Sequence, residues 1–178
     1  RLISGFNDIF VAIAAILFMA SIGWIGSKIA PSVGALGVLF SSWLLAEPFV
    51  RQRRLALPAI VLLISFISSV FSLTIFLLQH VMTHASMLLI AGMMAFLASY
   101  VHWRRFQVPI TVATGVGFVL AAIISFISVK NAFSSLLMPV FFMAGLVCFA
   151  YAMWWDSQDR HRQSRKSDVA FWLHLLAA

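Results

Sequence analysis

Apolar residues gather into six long runs along this chain, at residues 9–29, 33–50, 55–78, 85–101, 106–129 and 132–155, and polar residues are confined mainly to the gaps. The runs are 17 to 24 residues long. An α-helix rises 1.5 Å per residue, so about 20 apolar residues cross roughly 30 Å of hydrocarbon. The pattern predicts an all-α fold: a polytopic transmembrane helix bundle, read as a single transmembrane domain over residues 1–178. A last apolar stretch at 169–178 has 10 residues, about 15 Å and so half a crossing. That stretch is read as a truncated seventh span, and the chain, which begins at Arg1, as a fragment of a longer protein. The first run is too long for a cleavable signal peptide and lacks a basic leader.

The gaps alternate in charge. Arg51, Arg53 and Arg54 fill one, the next has no basic residue, and Arg104 with Arg105 fill the third. Lys130 stands alone in the fourth, and Arg160, Arg162, Arg165 and Lys166 fill the fifth. With a cytoplasmic N-terminus, ten of the twelve basic residues fall inside and only Lys28 and Lys130 outside, a positive-inside bias. Asp8, Glu47, Asp156, Asp159 and Asp168 are all the acids present, and all five share the predicted cytoplasmic side. Trp24, Trp103, Trp154, Trp155 and Trp172 fall near predicted interfaces, where an amphipathic ring is favoured. Trp43 lies deeper and is expected to pack between helices.

Composition changes the picture little. The chain is 63% hydrophobic and 10% charged, with a mean hydropathy of +1.04, whereas globular domains carry about 25% charged residues. A net charge of +7 would suggest nucleic acid in a soluble protein. Here the basic residues flank spans, so the expected partners are the lipid bilayer and anionic lipid headgroups at the cytoplasmic face, and not nucleic acid. A homo-oligomer or a membrane partner stays open. Cys148, the only cysteine, lies within a span and reads as a small packing residue.

Local signals set expected helix starts. Pro31 separates the first two spans, Ser4 or Asn7 is the expected cap of the first helix and Ser167 of the seventh. Asp8 and Asp168 would then lie in first turns, where the helix dipole favours negative charge. Arg53-Arg54-Leu55-Ala56-Leu57-Pro58 and Arg104-Arg105-Phe106-Gln107-Val108-Pro109 share an Arg-Arg-x-x-x-Pro pattern. Either a parallel repeat of helical hairpins or coincident topology signals explains it.

Four groups of residues are candidates for chemistry. Ser65, Ser68, Ser69 and Ser72 are spaced to share one face of the third span, as a polar pathway or as a close-packing face. Ala91, Ala95 and Ala98 in the fourth span, and Gly23 with Gly26 in the first, read as packing surfaces. His80 and His84 have a spacing that can place two imidazoles on one metal, but no Asp, Glu or Cys is expected on their side to complete a site. The fourth group is a polar cluster at the cytoplasmic edge: Asn7, Asp8, Glu47, His102, Asp168 and His174. Glu47 stands one turn before Arg51 and can pair with it. No Asp, Glu, Lys or Arg lies near the middle of any full span, where coupled pumps usually hold one. Nucleotide, hydrolase and zinc-protease motifs are missing, and no cofactor is expected.

Two segments carry a resemblance. Residues 3–11, Ile-Ser-Gly-Phe-Asn-Asp-Ile-Phe-Val, and 167–175, Ser-Asp-Val-Ala-Phe-Trp-Leu-His-Leu, resemble a group of uncharacterised bacterial multi-span inner-membrane proteins. The resemblance implies a bacterial inner membrane and a chain that continues past this one, and it carries no activity. Asn7, Asp8, Asp168 and His174 lie within the two segments. Three functional readings follow: a non-enzymatic scaffold, sensor or accessory subunit; a small-molecule permease lined by the serine face; and, with least support, a membrane enzyme at the cytoplasmic edge.

Overall fold

A computed structural model describes the backbone of residues 2–130, 137–159 and 164–178, and side chains within those ranges except at residues 2–6, 129 and 130. Every regular element among the described residues is helical: α1 (Leu2–Ser27), α2 (Pro31–Ala46), a π-helical turn (Glu47–Gln52), α3 (Ala56–Leu78), α4 (His84–Phe106), α5 (Ile110–Lys130), α6 (Leu137–Ser157) and α7 (Arg165–Ala177). Six helical stretches, the second made of α2 with the π-helical turn, are long and apolar enough to cross a membrane. The protein is a multi-pass helical membrane protein. The chain divides into two compact units, Arg1–Val81 and Met82–Ala178.

In the first unit α1, α2 and α3 pack on one another. Between α1 and α2 the contact is backbone to backbone. A Cβ on Gly26 would lie 2.7 Å from Gly34 Cα, and one on Gly34 would lie 2.6 Å from Gly23 O. Only glycine permits that approach, which gains dispersion contacts in a lipid surround that offers no hydrophobic drive between helices. Leu62, Leu63 and Ile67 of α3 are fully buried, with Ala46 and Ser42 of α2 and Ala12, Ala15 and Met19 of α1 also enclosed. Trp43 packs on Phe66 with ring centroids 5.1 Å apart, as its depth suggested. Many of the remaining large apolar side chains stay exposed, among them Phe10, Leu17, Trp24 and Leu44, as a lipid-facing surface requires.

The second unit pairs α4 with α5 and α6 with α7, and α7 also packs on α5. Gly92 lets α4 lie against α5: a Cβ there would collide with Ala122 Cβ and stand 2.9 Å from Phe118 O. Cys148 and Ala152 of α6 form a small core with Val169 and Leu173 of α7 and Ala113 of α5.

Several boundaries differ from the sequence reading, each for a physical reason. The second span does not continue as α-helix to residue 50. Pro48 lacks the N–H that would extend the ladder, and the chain widens into a π-helical turn from Glu47. The fourth helix runs five residues past 101, so Arg104 and Arg105 occupy its last turn, where cations suit the dipole. Phe106 therefore ends α4 and does not start the fifth span. Gln107, at φ 51°, makes the left-handed exit. The seventh helix starts at Arg165 with Ser164 as its cap, not at 169 with Ser167. Ser4 and Asn7 lie inside α1, which is helical from Leu2, so neither caps it. The start of the sixth span, residues 132–136, lies outside the described residues, as do Arg1, Arg160 and Arg162.

The two Arg-Arg-x-x-x-Pro segments fold differently. In the first, both arginines follow the π-helical turn, Arg54 has φ 54°, and Pro58 is in the opening turn of α3. In the second, both arginines are helical and Pro109 precedes α5.

Candidate functional site

Asp8 does not serve its own helix. Its Oδ2 accepts the backbone N–H of Ala56 at 3.1 Å and of Leu57 at 3.4 Å. The first N–H groups of any helix have no internal partner, and Leu55, the residue at the α3 N-cap, offers no side-chain acceptor. A carboxylate 48 residues earlier supplies the cap and places its charge at the positive end of α3. Asp8 Oδ1 is buried with no hydrogen bond among the described residues. Asn7 beside it is exposed. Glu47 pairs with Arg51 at 3.3 Å across the π-helical turn, the pair its spacing suggested.

In the second unit His102 is 1% exposed. Its Nδ1 stands 3.5 Å from Thr111 Oγ1 on α5, and its ring lies 4.6 Å from that of Phe106. His174 Nε2 lies 3.4 Å from Asp156 Oδ2, joining α7 to α6, with Phe149 edge-on at 5.3 Å. Asp168 is exposed in the first turn of α7. The capping acid there is Asp159, whose Oδ2 accepts from Ser164 N and Oγ, both at 2.7 Å. Arg165 Nη1 donates to Gln107 O at 2.9 Å. Within each unit these edge residues have separate surroundings, and Asp8, Asp159 and Arg165 bond to helix ends or turns. Thr111, Asp156 and Gln107 were missed as partners, because pairing across helices leaves no local spacing to read, and Asp159 was missed although it stands five residues before the Ser164 it holds.

The serine face opens on a cavity of about 310 Å³ in the first unit. Ser65, Ser68, Ser69 and Ser72 line one side, and small residues of α1 and α2, including Gly23, Ser27, Gly34 and Ala35, line the other. Ser69 Oγ bonds back to Ser65 O and, at 3.3 Å, to Phe66 O. The hydroxyls of Ser65, Ser68 and Ser72 make no hydrogen bond among the described residues. By contrast Ser21, Ser99 and Ser128 each return to a carbonyl one turn back.

A second, larger cavity was not expected. It is an open groove of about 470 Å³ between Ile110, Ala113, Thr114, Gly117, Phe118 and Ala121 of α5 and Trp172, Leu175 and Leu176 of α7. The available signal was Ala113, Gly117 and Ala121, small residues four apart on α5, which leave room along one helix face.

His80 falls in the turn after α3, whereas His84 is the first residue of α4, so their spacing is not that of one helix face. No group of three or more metal-ligating side chains forms among the described residues. Cys148 is 1% exposed, and its Sγ donates to Leu173 O at 3.4 Å, a packing position between α6 and α7. Comparisons with protein-family models, curated proteins and solved structures found no match to this chain.

Proposed function

We propose that this chain is a non-enzymatic integral protein of a bacterial inner membrane, with its N-terminus in the cytoplasm. It acts as a scaffold, sensor or accessory subunit through its packed helices and a charged cytoplasmic rim in contact with anionic headgroups. The observation that carries this reading is the use of the rim's polar groups: Asp8, Asp159 and Arg165 each bond to the backbone at another helix's end or at a turn. Groups spent on holding helix termini are not arranged around a common reacting atom. The residues of the two resembling segments support the bacterial setting. A reporter fused after Arg54 should be found on the cytoplasmic side, and an outer location would reverse the orientation. Asp8→Asn should lower folded yield or recovery of a membrane partner; normal abundance with loss of a measurable turnover would favour an enzyme.

A second reading, a small-molecule permease, is favoured by the three serine hydroxyls that line the first unit's cavity with no hydrogen bond among the described residues. A hydroxyl in hydrocarbon ordinarily bonds back to its own helix, so unspent hydroxyls suit a hydrated or solute-filled space. Cysteines placed at Ser65, Ser68 and Ser72 should react with polar thiol reagents in the native membrane. Protection at all three positions rejects the pathway.

A further inference from the structure

The geometry points to a phospholipid site in the second unit, with an anionic headgroup at Arg165 and an acyl chain in the α5–α7 groove. The inference rests on the membrane reading above and gives the expected contact with anionic headgroups a definite location.

The groove has the dimensions and polarity of a chain site. It runs along α5 from Ile110 to Ala121, and eleven residues at 1.5 Å make about 16 Å, the depth of one leaflet of a hydrocarbon layer roughly 30 Å thick. Its one hydroxyl, on Thr114, is already bonded to Ile110 O at 2.9 Å, and the only other polar side-chain group in its lining is the indole N–H of Trp172. An apolar chain can fill most of it at little polar cost, and an indole ring suits the boundary between headgroup and chain.

The charge lies at one end. Arg165 precedes Trp172 by seven residues and so shares its face of α7. The Arg165 guanidinium is held on Gln107 O, three residues before Ile110 opens the groove. One N–H is used there, and a guanidinium has others in a fork that fits phosphate oxygens. Arg165 forms no ion pair among the described residues. Arg104, Arg105 and Lys166, in the adjoining helix turns, add attraction for negative headgroups. Asp168, exposed one turn beyond Arg165, opposes a phosphate and would favour an ammonium, which gives the proposal a sign to test.

Native mass spectrometry of the full chain in neutral detergent, titrated with lipid, tests the site. Phosphatidylglycerol should be retained at one molecule per chain, roughly tenfold more tightly than phosphatidylcholine. Arg165→Gln should remove most of that preference. Gly117→Leu, which directs a side chain into the groove toward Leu176, should weaken both lipids. Asp168→Asn should tighten phosphatidylglycerol. Equal retention of the two lipids by the unaltered chain overturns the proposal, whatever the variants do. So does displacement of phosphatidylglycerol by inorganic phosphate, which would reduce the site to a phosphate contact. Selective retention of phosphatidylethanolamine that is lost in Asp168→Asn would also overturn it by assigning the ammonium instead. A reporter fusion that reverses the orientation would undermine the functional reading and leave this selectivity unchanged.

Discussion

Asp8 in α1 holds the first N–H of α3, at Ala56, with a 3.1 Å hydrogen bond, and takes a second from Leu57. Losing a capping acceptor costs about 1 kcal/mol, and here the cap also joins two helices. Asp8→Ala should therefore lower the thermal unfolding midpoint in detergent. Asp8→Asn, which keeps an acceptor and loses the charge, should fall between the two. Equal midpoints for Asp8→Ala and the unaltered chain would show that water or another donor set replaces the bond at no cost.

The contact of α1 with α2 depends on bare backbone at Gly26 and Gly34. A Cβ at Gly34 meets the Gly23 carbonyl at 2.6 Å and Ser27 N at 3.0 Å, both main-chain atoms that cannot rotate away. Gly34→Ala should cost about 1–3 kcal/mol, the range for overpacking, and Gly34→Leu should abolish folded yield. Gly117→Ala is the control. A Cβ there meets only Leu176 side-chain atoms at 3.5 Å and beyond, so its yield should stay normal. Equal yields for the two alanine variants would refute a close α1–α2 contact.

His102 and Thr111 form a buried polar pair between α4 and α5, at 1% and 0% exposure. Removing one partner leaves the other with less hydrogen bonding in a site closed to water. His102→Phe and Thr111→Val should each destabilise, and the double variant should cost less than their sum. The coupling should be about 0.5–1.5 kcal/mol, read from unfolding in mixed detergent. Strict additivity would mean that the 3.5 Å approach carries no energy.

The parts legible in the sequence were those set by solvent and chain length. Six helices long enough to span could be counted because hydrocarbon tolerates little else, and the places of Arg51, Arg104 and Arg165 in terminal turns followed from the same pattern. Glu47–Arg51 was legible because it is local. The tertiary caps were not. Asp8 was expected in the first turn of its own helix, with Ser4 or Asn7 as the cap, yet its carboxylate serves the N–H groups of α3, 48 residues on. Ser167 was expected to cap the seventh helix, whereas the cap is Ser164, held by Asp159 five residues earlier. The π-helical turn at Pro48 was missed because apolar periodicity says nothing of a single proline's effect on the ladder. The α5–α7 groove was missed because its emptiness depends on how α7 lies on small residues of α5.

Cys148 provides a reporter for the docking of α7. It is the only cysteine in the chain, and its thiol is enclosed at 1% exposure against Leu173. α7 is short, 13 residues, and isolated helices of that length are marginal, so its order rests on packing and on its cap. The cap is Ser164, held by Asp159 through two 2.7 Å bonds. Ser164→Ala removes the hydroxyl that accepts Lys166 N–H and donates to Asp159, at a cost of about 1 kcal/mol. In the unaltered protein a maleimide should label Cys148 slowly in mild detergent and fully after denaturation. If labelling proceeds through transient release of α7, loss of about 1 kcal/mol raises the open population roughly fivefold. Ser164→Ala should then label about five times faster, while Ser21→Ala, whose hydroxyl bonds only within α1, should label at the original rate. An unchanged rate in Ser164→Ala would mean that α7 is held by its buried face at Val169, Ala170 and Leu173 alone, with no contribution from its cap.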